Sequence, residues 1–139
     1  MPSRELNKLA EDIKTMKIRG AAEIGRAAVD GLAIAASASK ATAPSDYMED
    51  LNNAFRLLIA TRPTAVSLPN ALRYVMHRLE KAHKKGVEVP ELRELTLKAV
   101  KEFRQTSVEA VARIAEIGAK RILNGDLIMT HCNSSVALD

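Results

Sequence analysis

Residues 90–130, PELRELTLKAVKEFRQTSVEAVARIAEIGAKRILNGDLIMT, contain the change of pattern that decides the fold. From Pro90 to about Leu123, the apolar residues Leu92, Leu95, Val100, Phe103, Val111, Ile114 and Ile117 recur at helical spacing, which predicts one long helix with these side chains buried. Asn124-Gly125 closes it with two residues that accept the left-handed conformation. Leu127-Ile128-Met129-Thr130 then abandons the helical period, and a short apolar run after a helix reads as a buried parallel strand. A lone strand leaves its backbone groups without partners. The pattern therefore predicts an all-α domain over 1–125, followed at 126–139 by the first strand and the start of a doubly wound α/β domain.

Working back toward the N-terminus, the same period repeats. Leu6, Leu9, Ile13 and Met16 mark an amphipathic helix from Ser3 to Lys17. Ile18-Arg19-Gly20 interrupts it, and a second helix runs from Ala21 to about Ser39, rich in small residues that let a neighbour approach closely. Thr42 to Ser45 reads as a loop, and Asp46 with Glu49 as the start of a third helix reaching about Thr61. Pro63 pushes Arg62 out of the α region. Ser67 reads as an N-cap and Pro69 as a first-turn residue of a fourth helix, which carries Leu72, Val75, Met76 and Leu79 and stops near Gly86. With the final helix this makes about five. There are no internal repeats and no low-complexity segments.

Composition narrows the function classes. Aromatics are only 3% of residues with no Trp, so Ala, Leu, Ile and Val must fill the core, and such a composition favours helix. Lys and Arg exceed Asp and Glu by 21 to 17, an excess that suits an anionic substrate without requiring one. The basic residues are interleaved with acids, as on solvated helix faces, and His83-Lys84-Lys85 has no aromatic platform beside it. Nucleic-acid binding is thus unsupported. A single cysteine, Cys132, excludes an internal disulfide framework and suits a reducing compartment. The polar N-terminus is no signal peptide, and the mild stretch from Ala27 to Ala38 is too short and too interrupted to span a bilayer. These features together predict a cytoplasmic protein. His77, His83 and one cysteine do not make a metal set.

Three segments combine polar groups with a break in regular structure. Arg19-Gly20-Ala21-Ala22 puts a guanidinium and a glycine at a helix N-terminus, where free N–H groups and the helix dipole can hold a phosphate. A helix break with a solvated Arg accounts for the same residues. Arg62-Pro63-Thr64 can present a guanidinium rigidly toward an anion, or can simply turn the chain between helices. Cys132 follows the expected strand, at the carboxyl end where open α/β sheets bind ligands, and the helix start beyond it would favour thiolate. A small buried hydrophobe is the alternative for Cys132. His131 points to the other face of a strand, so no Cys–His dyad is implied.

Taken in order, Ile18-Arg19-Gly20-Ala21-Ala22-Glu23-Ile24-Gly25-Arg26-Ala27-Ala28, Arg62-Pro63-Thr64-Ala65-Val66-Ser67-Leu68 and Thr130-His131-Cys132-Asn133 resemble one superfamily. It comprises the methylthioribose-1-phosphate isomerases, the ribose-1,5-bisphosphate isomerases and the α, β and δ subunits of translation initiation factor 2B. The resemblance spans nearly the whole chain. It implies a helical N-terminal domain followed by a Rossmann-like domain, with the active site between them and relatives assembled as homo-oligomers. By motif, it implies Cys132 as the catalytic thiol, and Arg19, Gly20, Ala21, Ala22 and Arg62 as ligands of substrate phosphate or sugar oxygens. Ser134 and Ser135, at the start of the next helix, would add donors to a phosphate. The family's catalytic Asp and Asn-Lys pair belong further along the Rossmann-like domain, and Asp139 is not their counterpart.

Ser67, Ser134 and Ser135 depart from the methylthioribose-1-phosphate pattern, which resembles Asn after Arg-Pro-Thr-Ala-Val and Ala-Gly after His-Cys-Asn. The resemblance thus favours the bisphosphate enzyme, acting on a phosphorylated sugar with no metal or organic cofactor. Initiation-factor subunits generally lack the cysteine and the Arg-Gly-Ala segment. A regulatory subunit contacting initiation factor 2 is the alternative from a different class, and the methylthioribose enzyme a second.

Overall fold

A computed structural model describes residues 2–130 and Val136. Five helices follow one another: α1 (Arg4–Lys14), α2 (Ala21–Ala38), α3 (Pro44–Ile59), α4 (Ser67–Lys84) and α5 (Val89–Ala119). The all-helical reading of the first 125 residues holds. The expected strand does not appear: Leu127–Thr130 has no regular structure, with Leu127 and Met129 100% and 94% exposed. No second strand lies among the described residues, so nothing offers this segment a ladder, and its N–H and C=O groups stay in solvent.

Local chemistry sets the helix ends. Ser3 caps α1, its hydroxyl oxygen accepting from Leu6 N at 3.2 Å. The helix stops three residues short of Lys17 because Met16 takes the left-handed conformation, φ 62°. Pro44 opens α3 two residues before Asp46, its fixed φ suiting the first helical turn. Ser67 lies inside α4 and caps nothing; Val66 precedes the helix in an already helical conformation. α5 ends at Ala119, and residues 120–125 form turns before Gly125, φ 93°.

α2 is the centre of the bundle. Its small residues bring neighbours close: a Cβ on Gly31 would sit 2.7 Å from Leu58 Cδ1 and 3.3 Å from Leu6 Cδ1. α5 runs along α2 in the opposite direction. Arg93 donates to the carbonyls of Ala36 (2.7 Å) and Ser39 (3.0 Å), Arg104 pairs with Asp30, and Arg26 reaches Ser107. The first turns of α2 and α4 abut, with the Cβ position of Gly25 3.6 Å from Ala71 Cβ and 3.7 Å from Ser67 O. The core is aliphatic, apart from Tyr47, whose hydroxyl meets Thr96 Oγ1 at 2.9 Å.

The period of α5 overstated its burial. Leu92 and Val100 are core and Leu95 and Phe103 pack against it, yet Ile114 and Ile117 are 53% and 46% exposed and Val111 is half-buried. Beyond Ser107 every residue of α5 is exposed except the half-buried Val111 and Ala115, and the helix runs on past the start of α2 as a largely free arm.

Candidate functional site

The arm leaves the bundle at the end where α2 and α4 begin, and there the two arginine segments lie. Gly20, φ 92°, occupies the turn before α2, a conformation a side chain would strain. Its carbonyl accepts from Ile24 N at 2.9 Å, which starts the helical ladder, so the N–H groups of Ala21, Ala22 and Glu23 precede the ladder's reach. The Arg19 side chain and Ala21 are exposed, and Ala22 is half-buried. The one acid in this turn, Glu23, is drawn along the helix into an ion pair with Arg26. The α2 start thus keeps its positive end open to an anion.

Arg62 lies in a run of tight turns between α3 and α4. Thr61 Oγ1 donates to Leu58 O at 2.6 Å, Ala65 N to Arg62 O at 3.1 Å, and Leu68 N to Ala65 O at 3.1 Å. The Arg62 side chain is half-buried, and its Nη1 is buried without an acceptor among the described residues. A buried guanidinium N–H left unpaired costs on the order of 1–3 kcal/mol, which an anion accepting from it would recover. A freely solvated arginine would show no such atom.

Cys132, Ser134 and Ser135 lie outside the described residues. Of the predicted ligands, the structure thus brings Arg19, Gly20, Ala21 and Ala22 to the same end of the bundle as the Arg62 turn. His77 is exposed, whereas His83 is half-buried, its Nδ1 buried with no partner among the described residues, at the opposite end of α4. No cluster that could hold a metal ion occurs among the described residues, and no helix among them is long and apolar enough to cross a membrane.

Sequence reasoning missed Arg26. Its side chain is only 11% exposed, and Nη1 donates to Ser107 Oγ at 3.0 Å across the α2–α5 contact. Its spacing from Glu23 signals a helix pair, but only the fold reveals the bond to a residue so distant in sequence.

Residues 17–139 match the Initiation factor 2 subunit family. The chain belongs to that family. It is 49% identical over 135 residues to the ribose 1,5-bisphosphate isomerase of Thermococcus kodakarensis, covering 97% of this chain and 42% of that protein. Its fold matches the 5-methylthioribose 1-phosphate isomerase of Pyrococcus horikoshii OT3 with a TM-score of 0.77 and 34% identity, over 83% of this chain and 32% of the other. It also matches the translation initiation factor eIF-2B delta subunit of A. fulgidus, with a TM-score of 0.74 and 31% identity, over 94% and 37%. The chain therefore spans about two-fifths of the length of the curated relatives it matches.

Proposed function

We propose that this chain is the helical, phosphate-gripping N-terminal part of an aldose–ketose isomerase that converts ribose 1,5-bisphosphate to ribulose 1,5-bisphosphate. The 49% identity to an isomerase of that name, running through 97% of the chain, carries the reading. In it, 1–125 form the helical domain and 126–139 lead into a Rossmann-like domain whose sheet gives Leu127–Thr130 the strand partners it otherwise lacks. The activity is that of the whole, homo-oligomeric and cytoplasmic enzyme, and the described helical part alone is expected to show little or none.

The substrate presents two dianionic ends. Arg19 with the N–H groups of Gly20, Ala21 and Ala22, and Arg62 with its unsatisfied Nη1, supply acceptor-seeking groups for one phosphate and the neighbouring sugar oxygens. Ser134 and Ser135 supply hydroxyl and amide donors for the other. The 1-phosphate prevents spontaneous opening to a free aldehyde, so the enzyme must drive ring opening. An acid from the following domain protonates the ring oxygen as the bond from C1 to that oxygen breaks. The Cys132 thiolate takes the C2 proton and leaves an enol across C1 and C2; return of that proton to C1, as the C2 hydroxyl gives its own proton back to the acid, leaves the ketone at C2. Acid and base steps of this kind each contribute about 10²–10⁴-fold. No step calls for a metal or an organic cofactor.

Replacing Cys132 with Ser in the full-length protein should cut turnover by at least about 10²-fold while substrate still binds. Turnover near wild type would remove the thiol from the mechanism. A regulatory subunit that contacts initiation factor 2 is the second reading, favoured by the TM-score of 0.74 to the eIF-2B delta subunit. A pull-down with that factor, beside an isomerase assay of the full-length protein, separates the two.

A further inference from the structure

We infer that Arg26 is a positioning residue that sets the direction in which the free arm of α5 leaves the anion-binding end of the bundle. The inference rests on the isomerase reading for its kinetic consequence, though its geometry stands apart from it. Three helices converge one residue before Arg26, where the Cβ position of Gly25 lies 3.6 Å from Ala71 Cβ on α4 and 3.9 Å from Phe103 Cε1 on α5. At Arg26 itself, Nη1 donates to Ser107 Oγ at 3.0 Å, and Nη2 pairs with Glu23 in the first turn of α2. Ser107 is half-buried, and Val108 immediately after it is 57% exposed. Arg26 is thus the last side chain of α2 bonded to α5 before that helix is free, and its 11% exposure makes it a well-held pivot rather than a loose surface cation.

Leverage makes the pivot matter. From Ser107 to Ala119 the arm is about 18 Å long at 1.5 Å per residue. A swing of about 5° at Ser107 moves its end by about 1.5 Å, and misplacements of about 1 Å between reacting groups can cost about 10²-fold in rate. Under the isomerase reading the arm carries the chain on toward the following domain, while Arg19 and Gly20 sit at the start of the helix that carries Arg26. The Glu23–Arg26–Ser107 chain therefore couples the grip on phosphate to the direction in which the arm carries the chain onward, without Arg26 touching substrate.

The test compares full-length Arg26→Ala, Arg26→Lys and Ser107→Ala. Arg26→Ala should lower kcat about 10- to 100-fold, with KM changed less than about 3-fold and the pH dependence of the rate unshifted. Arg26→Lys, which keeps one donor, and Ser107→Ala should lie between it and wild type. A raised KM with unchanged kcat would make Arg26 a substrate ligand and overturn the proposal, as would wild-type kinetics. A readout that needs no activity separates this proposal from the isomerase reading. In the chain carrying Cys132→Ser, spin labels at Lys81→Cys and Ala112→Cys, both exposed, report the distance between α4 and the arm. Arg26→Ala should broaden or shift that distance. An unchanged distribution refutes the pivot whatever the enzyme turns out to catalyse, and a wild-type protein without isomerase activity refutes only the reaction.

Discussion

Leu92 and Ile114 lie on nearly the same side of α5, about six turns apart, yet one is fully buried and the other 53% exposed. The first half of the helix packs along α2 and α4, with Arg93 holding the end of α2, Arg104 paired with Asp30, and Arg78 of α4 paired with Glu102. The second half has the same apolar period, but beyond Ser107 it finds little cover among the described residues, with only Val111 and Ala115 half-buried. Periodicity states which side of a helix would be buried, whereas burial itself requires a surface within reach. The two halves of one helix thus separate what sequence pattern contributes from what tertiary contact contributes.

The sharpest way to break this comparison is to cut the same kind of side chain from each region. Leu72, fully buried on α4, should cost about 2–5 kcal/mol when changed to Ala, through lost transfer energy and the cavity left behind. Ile114→Ala on the arm should cost under about 0.5 kcal/mol. Urea denaturation followed by circular dichroism reads both, as a fall in midpoint at constant slope. Equal losses at the two sites would mean that something covers the arm in solution.

The glycines sharpen the contrast at smaller scale. Gly31 has no room for a methyl group, since its Cβ would meet both terminal carbons of Leu58, at 2.7 and 3.0 Å, in the sealed core. Gly31→Ala should therefore destabilise by about 1–3 kcal/mol, less up to about 1 kcal/mol gained from helix propensity. Gly118, near the end of the arm, has nothing within 4 Å of its Cβ position. There Ala should only strengthen the local helix, raising helical ellipticity with the unfolding midpoint unchanged. A destabilising Gly118→Ala would contradict the free arm.

The helices were legible because each carries enough period-3.6 apolar residues to declare itself, and the errors fall where a distant partner decides. Ile114 and Ile117 obey the helical period and stay exposed, because period is a property of the segment alone. Leu127–Thr130 has strand composition but no strand, since a ladder needs a second chain segment. Ser67 has an N-cap side chain, yet the tight turns after Arg62 bring the backbone into helical conformation before it arrives. At the site, Arg19-Gly20 was readable as a helix start, and Gly20 takes a positive φ in the turn that precedes it. The buried Nη1 of Arg62 was not, because local sequence does not say which way a guanidinium turns. Arg26 was missed for the same reason: its partner is a serine on another helix.

Polar residues give the same comparison its smallest and most specific test. Thr96, in the packed half of α5, is fully buried and satisfied twice, by Tyr47 Oη at 2.9 Å and by Leu92 O at 2.8 Å, whereas Thr106 in the same helix is exposed. Burial pushes the Tyr47 phenol above its ordinary pKa, partly offset by the bond to Thr96 and by Arg93 nearby. The folded state therefore holds this proton more tightly than the unfolded chain does. The resulting stability is complete below the unfolded value, about 10, and declines as pH rises from there through the folded value. Tyr47→Phe should cost about 1 kcal/mol near pH 8, the net worth of one such hydrogen bond. That cost should shrink between pH 9 and pH 11, because only the wild-type protein must keep a buried phenol from ionising. Urea midpoints of both proteins across that range decide the matter. A constant difference between them would mean that the Tyr47 hydroxyl reaches water, and that the packed half of α5 is not as sealed as its neighbours imply.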